Sequence, residues 1–352
     1  MASINKNLLD SLNDTHLIEY PWRGKLQIDG KMRTVVKLDA NFSAIHLKGI
    51  KNEYPRGSCK IKKMAAISFG EDFCHVARIV YKMTNEEAIK FHYTKSIETR
   101  YALQGVPNLV HVFAQVLTRN KHNELELVSY ERNFQFGNLY TFESWYAEEF
   151  VLEKCLKIEI AQKIIATFAA MHQREIYHRD IKPENILCGE DPADPTKLAI
   201  AICDLDFCSI EGSGNKRRTG TPSYISPEEF IWKMNGPTKI RSKPELAKND
   251  IWALGWTLHE IFNKLVRPLP FTDENYTQGM KTRAWLQQFD VSPSPLPRPE
   301  KNDRMEQLIW NMLQYEPDSR IEMQEALEEI EAIKSSERDL ASQPAKSQSE
   351  SE

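Results

Sequence analysis

The sequence predicts an α+β protein, with a small strand-rich first part and a larger helix-rich second part. Three observations carry this. Up to about residue 131 the chain runs in short segments of strand character broken by turn signals. After about residue 138 the apolar spacing becomes helical, at 157–173, 249–263 and 303–333. At 352 residues the chain is long enough for one large domain or two lobes, and it shows no repeat at solenoid or propeller spacing.

Taken in order, residues 24–38 read as a hairpin, because Asp29-Gly30 suits a two-residue turn. Strand-like runs follow at 43–50, 59–69 and 73–83, separated by Pro55-Arg56-Gly57 and Gly70-Glu71-Asp72. Thr84-Asn85-Glu86-Glu87 has the form of a capping box, and Ile89, Tyr93 and Ile97 continue an apolar stripe towards Gly105. Two more strands are expected at 109–118 and 124–131, flanking the polar turn at 120–123. The three helical segments follow. Residues 334–352 offer almost nothing to bury and are expected to form a disordered tail.

Composition excludes several classes. A net charge of −4 and a pI near 6.2 argue against a dedicated nucleic-acid binder. No apolar stretch approaches the roughly 18 residues that a membrane span needs. The amino terminus lacks the basic-then-apolar order of a secretory signal, so a cytoplasmic location is expected. Cysteines 59, 74, 155, 188, 203 and 208 form no CxxC pair, and the nine histidines form no HxxxH or HExxH. Metal-dependent hydrolysis is therefore not expected.

The strongest motif is His178-Arg179-Asp180-Ile181-Lys182-Pro183-Glu184-Asn185. Phosphoryl transfer requires an aligned hydroxyl and neutralised charge around the moving group. Asp180 can accept or orient a hydroxyl proton, Lys182 can set a positive charge beside the transferring phosphate, and Asn185 can offer a hard oxygen to Mg2+. The run resembles the HRDxxxxN loop of eukaryotic-like protein kinases, and Lys182 resembles their serine/threonine branch. His178 reads as a scaffold residue.

The resemblance extends downstream. Asp204-Leu205-Asp206 and Asp206-Phe207-Cys208 are competing registers for the family's metal-binding aspartate. Asp204 is preferred because it sits directly at the end of a β-rich run; in either register the family's glycine is missing. Gly220–Glu228 resembles the end of a kinase activation segment. The family implies that Thr221 bridges Asp180 and Lys182, that Glu228 pairs with Arg320, and that Asp250 tethers the loop backbone. Ser213 and Thr219 become candidate autophosphorylation sites, since an arginine at 179 implies control by a phosphate in this segment.

The first part matches loosely. Lys90, in Ala88-Ile89-Lys90, lies only eight residues before Glu98, and the capping box makes it a helix residue. Lys82, at the end of a strand, leaves room for a turn before Glu98 and is preferred as the ATP lysine, with Glu98 as its ion-pair partner. The phosphate-covering loop then falls around residues 49–57, which are poor in glycine. Tyr130 resembles a gatekeeper, and Glu131 the start of the backbone that meets adenine.

The resemblance covers about residues 43–333. It implies a bilobal kinase fold with a first lobe at 43–131 and a second at 138–333, and leaves 1–42 as an N-terminal extension. It also implies ATP with Mg2+ (or Mn2+), a protein substrate, and transfer to serine or threonine. The divergent first lobe fits a bacterial origin, including an effector delivered into host cells. Two rival readings stay open: a pseudokinase scaffold, which the poor glycine loop favours, and a small-molecule kinase of the aminoglycoside or choline type, which the Ser226-Pro227-Glu228 segment disfavours.

Overall fold

The computed structural model describes residues 23–28, 31–37, 42–46, 55–56, 59–69, 72–81, 85–120, 122–146, 154–191, 193–194, 196–205, 208–209, 220–234, 241–263, 293–300 and 303–342. The chain divides into two compact units, Met1–Tyr101 with Val110–Asn133, and Ala102–Leu109 with Phe134–Glu352.

The first unit is built on an antiparallel sheet. Its strands are β1 (Arg23–Ile28), β2 (Lys31–Lys37), β3 (Phe42–His46), β4 (Pro55–Arg56), β5 (Cys59–Phe69), β6 (Asp72–Tyr81), β7 (Val112–Arg119) and β8 (Leu125–Arg132). The order is β1-β2-β3-β5-β6-β8-β7, with β4 paired to β5. The expected hairpin forms, with Ile28 opposite Lys31. It is not a separate extension, however. β2 pairs with β3 through Val35↔Ile45, so the boundary expected at residue 43 falls inside the sheet.

α1 (Glu86–Ala102) follows β6. Its cap is Asn85, whose side-chain oxygen accepts from the Ala88 N–H at 2.7 Å, one residue later than the box read from Thr84. Glu86 and Glu87 in the first turn and Arg100 in the last complement the helix dipole. The chain then turns at Gly105, whose φ of +80° suits a residue without Cβ.

The second unit contains α2 (Leu139–Tyr146), α3 (Lys154–His172), the two-stranded sheet of β9 (Ile186–Glu190) and β10 (Leu198–Ile202), α4 (Pro227–Met234), α5 (Lys243–Phe262), α6 (Arg304–Met312) and α7 (Met323–Ser342). α5 is buried on nearly every face. Its Trp252, Leu254 and Leu258 join Ile164 and Phe168 of α3, Leu308 and Met312 of α6 and Ile330 of α7 in one core. α5 starts well before the apolar segment at 249–263. Ser242 and Glu245 cap each other's backbone N–H groups in a reciprocal box, and Pro244 sits within the first turn.

The expected tail begins inside α7. Beyond the buried Ile333 the helix continues to Ser342, held by Lys334 to Gln162 at 3.1 Å and by a Lys154–Glu337 ion pair at 2.6 Å. This stretch is polar but rich in good helix formers, so low apolar content alone misplaced the boundary. Residues 343–352 lie outside the described part. Among the described residues no helix is long and apolar enough to cross a membrane.

Candidate active site

The loop 178–185 enters from α3 and leaves into β9, and a buried carboxylate on α5 fixes its course. Asp250, fully buried, accepts from the His178 N–H at 2.7 Å and the Arg179 N–H at 2.8 Å. His172 Nε2 lies 3.1 Å from the same carboxylate. These bonds hold Arg179 at a φ of +70°, a left-handed conformation that arginine rarely adopts. His178 is fully buried, with Nε2 3.2 Å from the carbonyl of Cys203, in keeping with its reading as scaffold.

Asp180 is 5% exposed and densely bonded. Lys182 Nζ donates to its Oδ2 at 2.8 Å, and both the backbone N–H and the hydroxyl of Thr221 donate to its Oδ1, at 2.8 and 2.7 Å. Lys182 also donates to Thr221 Oγ1 at 2.6 Å, which closes the triangle. Burial pushes the Asp180 carboxyl up, but the Lys182 charge and the hydrogen bonds of Lys182 and Thr221 together hold it below the usual carboxylate range.

Asn185 ends a short 3₁₀ turn, Pro183–Asn185. Its Nδ2 donates to the backbone oxygen of Asp180 at 2.8 Å and lies 3.2 Å from Oδ2, so the amide's other face, the carbonyl oxygen, is not spent on these bonds. The Asn185 backbone oxygen accepts from Cys203 N–H at 3.0 Å and from its thiol at 3.4 Å. That pairing places Asp204, the next residue, beside the catalytic loop. Asp204 is half-buried with φ +62°. Among the described residues no group of three or more His, Cys, Asp or Glu could hold a metal ion. A site of one amide oxygen and one carboxylate suits Mg2+, which takes few protein ligands and completes its shell with phosphates and water.

The expected anchors form. Arg320 grips Glu228 with two parallel bonds of 2.6 and 2.8 Å, stacks 4.9 Å from the Trp252 ring centre, and donates to the backbone oxygens of Gln314, Lys248 and Tyr315. Several supports were not legible beforehand. Asn249 Oδ1 accepts from Ser226 N–H at 3.1 Å, Tyr224 donates to Glu260, and a buried Arg241–Glu229 ion pair lies nearby. Asn249 is adjacent in sequence to Asp250, which is the one cue to its role.

The other expected site residues belong to the first unit. Glu98 is half-buried on α1, and Lys90 is an exposed residue of the same helix. Lys82 lies outside the described residues, immediately after β6, in which Val80 is buried. Tyr130 and Glu131 are buried in β8, where Glu131 is in register with both Ala77 and Val112. β8 continues to Arg132, whose N–H donates to the His111 carbonyl, so the chain leaves the sheet one residue later than expected. Asp206, Ser213, Thr219 and most of the 49–57 loop lie outside the described residues.

A family model described as the protein kinase domain matches residues 76–330. The chain belongs to the protein kinase domain family. The match begins within β6, so the strands upstream lie beyond it. Among similar proteins, an Aurora kinase of Eremothecium gossypii is 33% identical over 157 residues, covering 44% of this chain and 36% of that protein. Serine/threonine-protein kinase H1 of Homo sapiens is 28% identical over 289 residues, 78% of this chain and 61% of that protein. Serine/threonine-protein kinase RAD53 of Saccharomyces cerevisiae is 28% identical over 174 residues, 48% and 20%. The match thus spans between 20% and 61% of these relatives' own lengths.

Proposed function

We propose that the chain transfers the γ-phosphoryl group of ATP to serine or threonine hydroxyls of proteins. The observation that carries this reading is the triangle of Asp180, Lys182 and Thr221, in which a buried carboxylate stays ionised at neutral pH. Asp180 orients the substrate hydroxyl and accepts its proton as the oxygen attacks phosphorus. Lys182 stands beside the transferring phosphoryl and shares its developing charge. Thr221 keeps the two together.

Asn185 and Asp204 would hold Mg2+ through an amide oxygen and a carboxylate. The ion, when bound, neutralises phosphate charge and orients the terminal phosphoryl. From the sequence pattern, Lys82 is assigned to the ATP phosphates with Glu98 as its partner, and the chain at and just after Glu131 to adenine. The serine/threonine names of its relatives support the acceptor class.

The test is transfer from labelled ATP with Mg2+ to a generic basic protein, followed by phosphoamino-acid analysis. Label on serine and threonine supports the reading. Nucleotide binding without transfer would leave the chain a scaffold, and label on tyrosine alone would remove the assigned acceptor.

A further inference from the structure

The strands upstream of the family match carry a charge pattern that the transfer chemistry does not use. The match begins at residue 76, so β1 to β5 lie wholly before it. Those five strands hold nine lysines and arginines and not one aspartate or glutamate. The whole chain carries −4, so the remainder is acidic overall and the cations are concentrated here. A block of one sign sets up a field that draws anionic groups to this end of the sheet.

The backbone gives that field a place to act. β1 ends the strand order, and among the described residues it pairs with β2 alone. One row of its N–H and C=O groups is therefore turned away from the sheet, where another extended chain can pair with it. Along β1 the residue types alternate strictly. Arg23, Lys25 and Gln27 occupy one face, and Gly24, Leu26 and Ile28 the other. In β2, Lys31 stands in register with Ile28, and Arg33 with Leu26. A lone lysine on an edge strand serves to prevent aggregation. That purpose does not account for nine cations over five strands with no balancing anion.

We propose that the outer edge of β1 is a docking site for an extended, acidic segment of a partner protein, which joins the sheet as a further strand. Backbone pairing along β1 supplies affinity, and the alternation sets the sequence that is accepted. Acidic residues at every second position meet Arg23 and Lys25 across the new pair. Aliphatic residues between them lie beside Leu26 and Ile28, while Lys31 and Arg33, one strand further in, add attraction. A polypeptide is favoured over nucleic acid or a lipid surface, because neither of those can continue a ladder of N–H and C=O pairs. Docking at this edge is independent of whether the chain transfers phosphate.

The test is binding of a labelled peptide of alternating glutamate and valine to the full chain, read by fluorescence anisotropy and by amide exchange at residues 23–28. The parent should bind it saturably, more weakly as salt rises, with exchange slowed along β1. Arg23→Glu/Lys25→Glu, checked for folding by thermal melting, should bind about tenfold or more weakly. A peptide of the same composition with its glutamates in one block should lose binding to a similar degree. So should one of two alternating peptides N-methylated either at every glutamate or at every valine, since one of these sets faces β1. Absence of saturable binding would overturn the proposal, as would parental affinity in the charge-reversed variant or for the block-ordered peptide. Tighter binding of single-stranded RNA or of phosphatidylserine vesicles, with exchange along β1 unchanged, would also overturn it. Binding seen only once residues 1–20 are removed would assign the edge to the chain's own N-terminal segment and not to a partner. If the charge-reversed variant does not fold, the methylated peptides still decide on the parent: equal binding of both and of the plain peptide would contradict strand pairing.

Discussion

Thr221 lies 41 residues from Asp180 in sequence, yet it meets one carboxylate oxygen twice, through its backbone N–H and its hydroxyl. The hydroxyl also accepts from Lys182, so a single β-carbon carries the link between base and cation. Thr221→Val should lower kcat by about tenfold or more, because a hydrogen bond to a charged group is worth about 1.5–3 kcal/mol. Thr221→Ser should retain most of the activity. Steady-state kinetics on the two variants checks this.

The same contacts set a pH dependence. The folded-state pKa of Asp180 lies below its unfolded value of about 3.9, so the stability this group contributes is fully present above that value. It is lost as pH falls through the folded pKa. The acid limb of kcat/KM should therefore not be set by Asp180 anywhere near neutrality. In Lys182→Met the foremost group lowering that pKa is gone, and the pH at which Asp180 titrates should move upward. Rate profiles in the two proteins provide the comparison.

Much of this site could be read from sequence because its parts are chemically demanding. Asp180, Lys182, Thr221, Glu228, Asp250 and Arg320 each need a particular functional group, and the contacts expected among them are present. The first unit was less legible. Its sheet is held by backbone pairing that many side chains satisfy, which is why the hairpin at 23–37 read as an appendage although β2 pairs with β3. The start of α5 is hidden for a different reason: Ser242 and Glu245 mark it, but they precede the apolar run at 249–263. The Glu229–Arg241 pair left no local signature, since only the fold brings its members together.

The Glu228–Arg320 pair should matter for folding more than for chemistry. Arg320→Ala leaves Glu228 without its partner and removes a cation from the Trp252 ring, at a cost of about 3–5 kcal/mol. Arg320→Lys should recover only part, because an ammonium cannot make two parallel bonds. Thermal melts should show the order parent, Lys, Ala.

At Gly255 the backbone of α5 approaches the end of α6. An added Cβ would lie 2.9 Å from both Met312 Cβ and Leu313 Cγ. Gly255→Ala should therefore destabilise the protein by about 1–3 kcal/mol through overpacking, despite its better helix propensity. Denaturant titration gives the sign directly.

The two lysines of the first unit should separate cleanly. Lys90 is exposed on α1, and Lys90→Ala should change ATP binding and turnover little. Lys82→Met should lower kcat/KM for ATP by about a hundredfold, as loss of a group that stabilises phosphate charge does. A strong loss in Lys90→Ala alone would place the phosphate-binding lysine on the helix.

The central claim is that Asp180 is the base of a phosphoryl transfer to protein hydroxyls. Its most direct test is initial-rate transfer of label from γ-labelled ATP, with Mg2+, to a basic protein substrate by the parent and by Asp180→Asn at matched fold and nucleotide affinity. Asp180→Asn should fall by about 10²–10⁴ in kcat with little change in ATP binding. Equal rates in the two proteins would contradict the account.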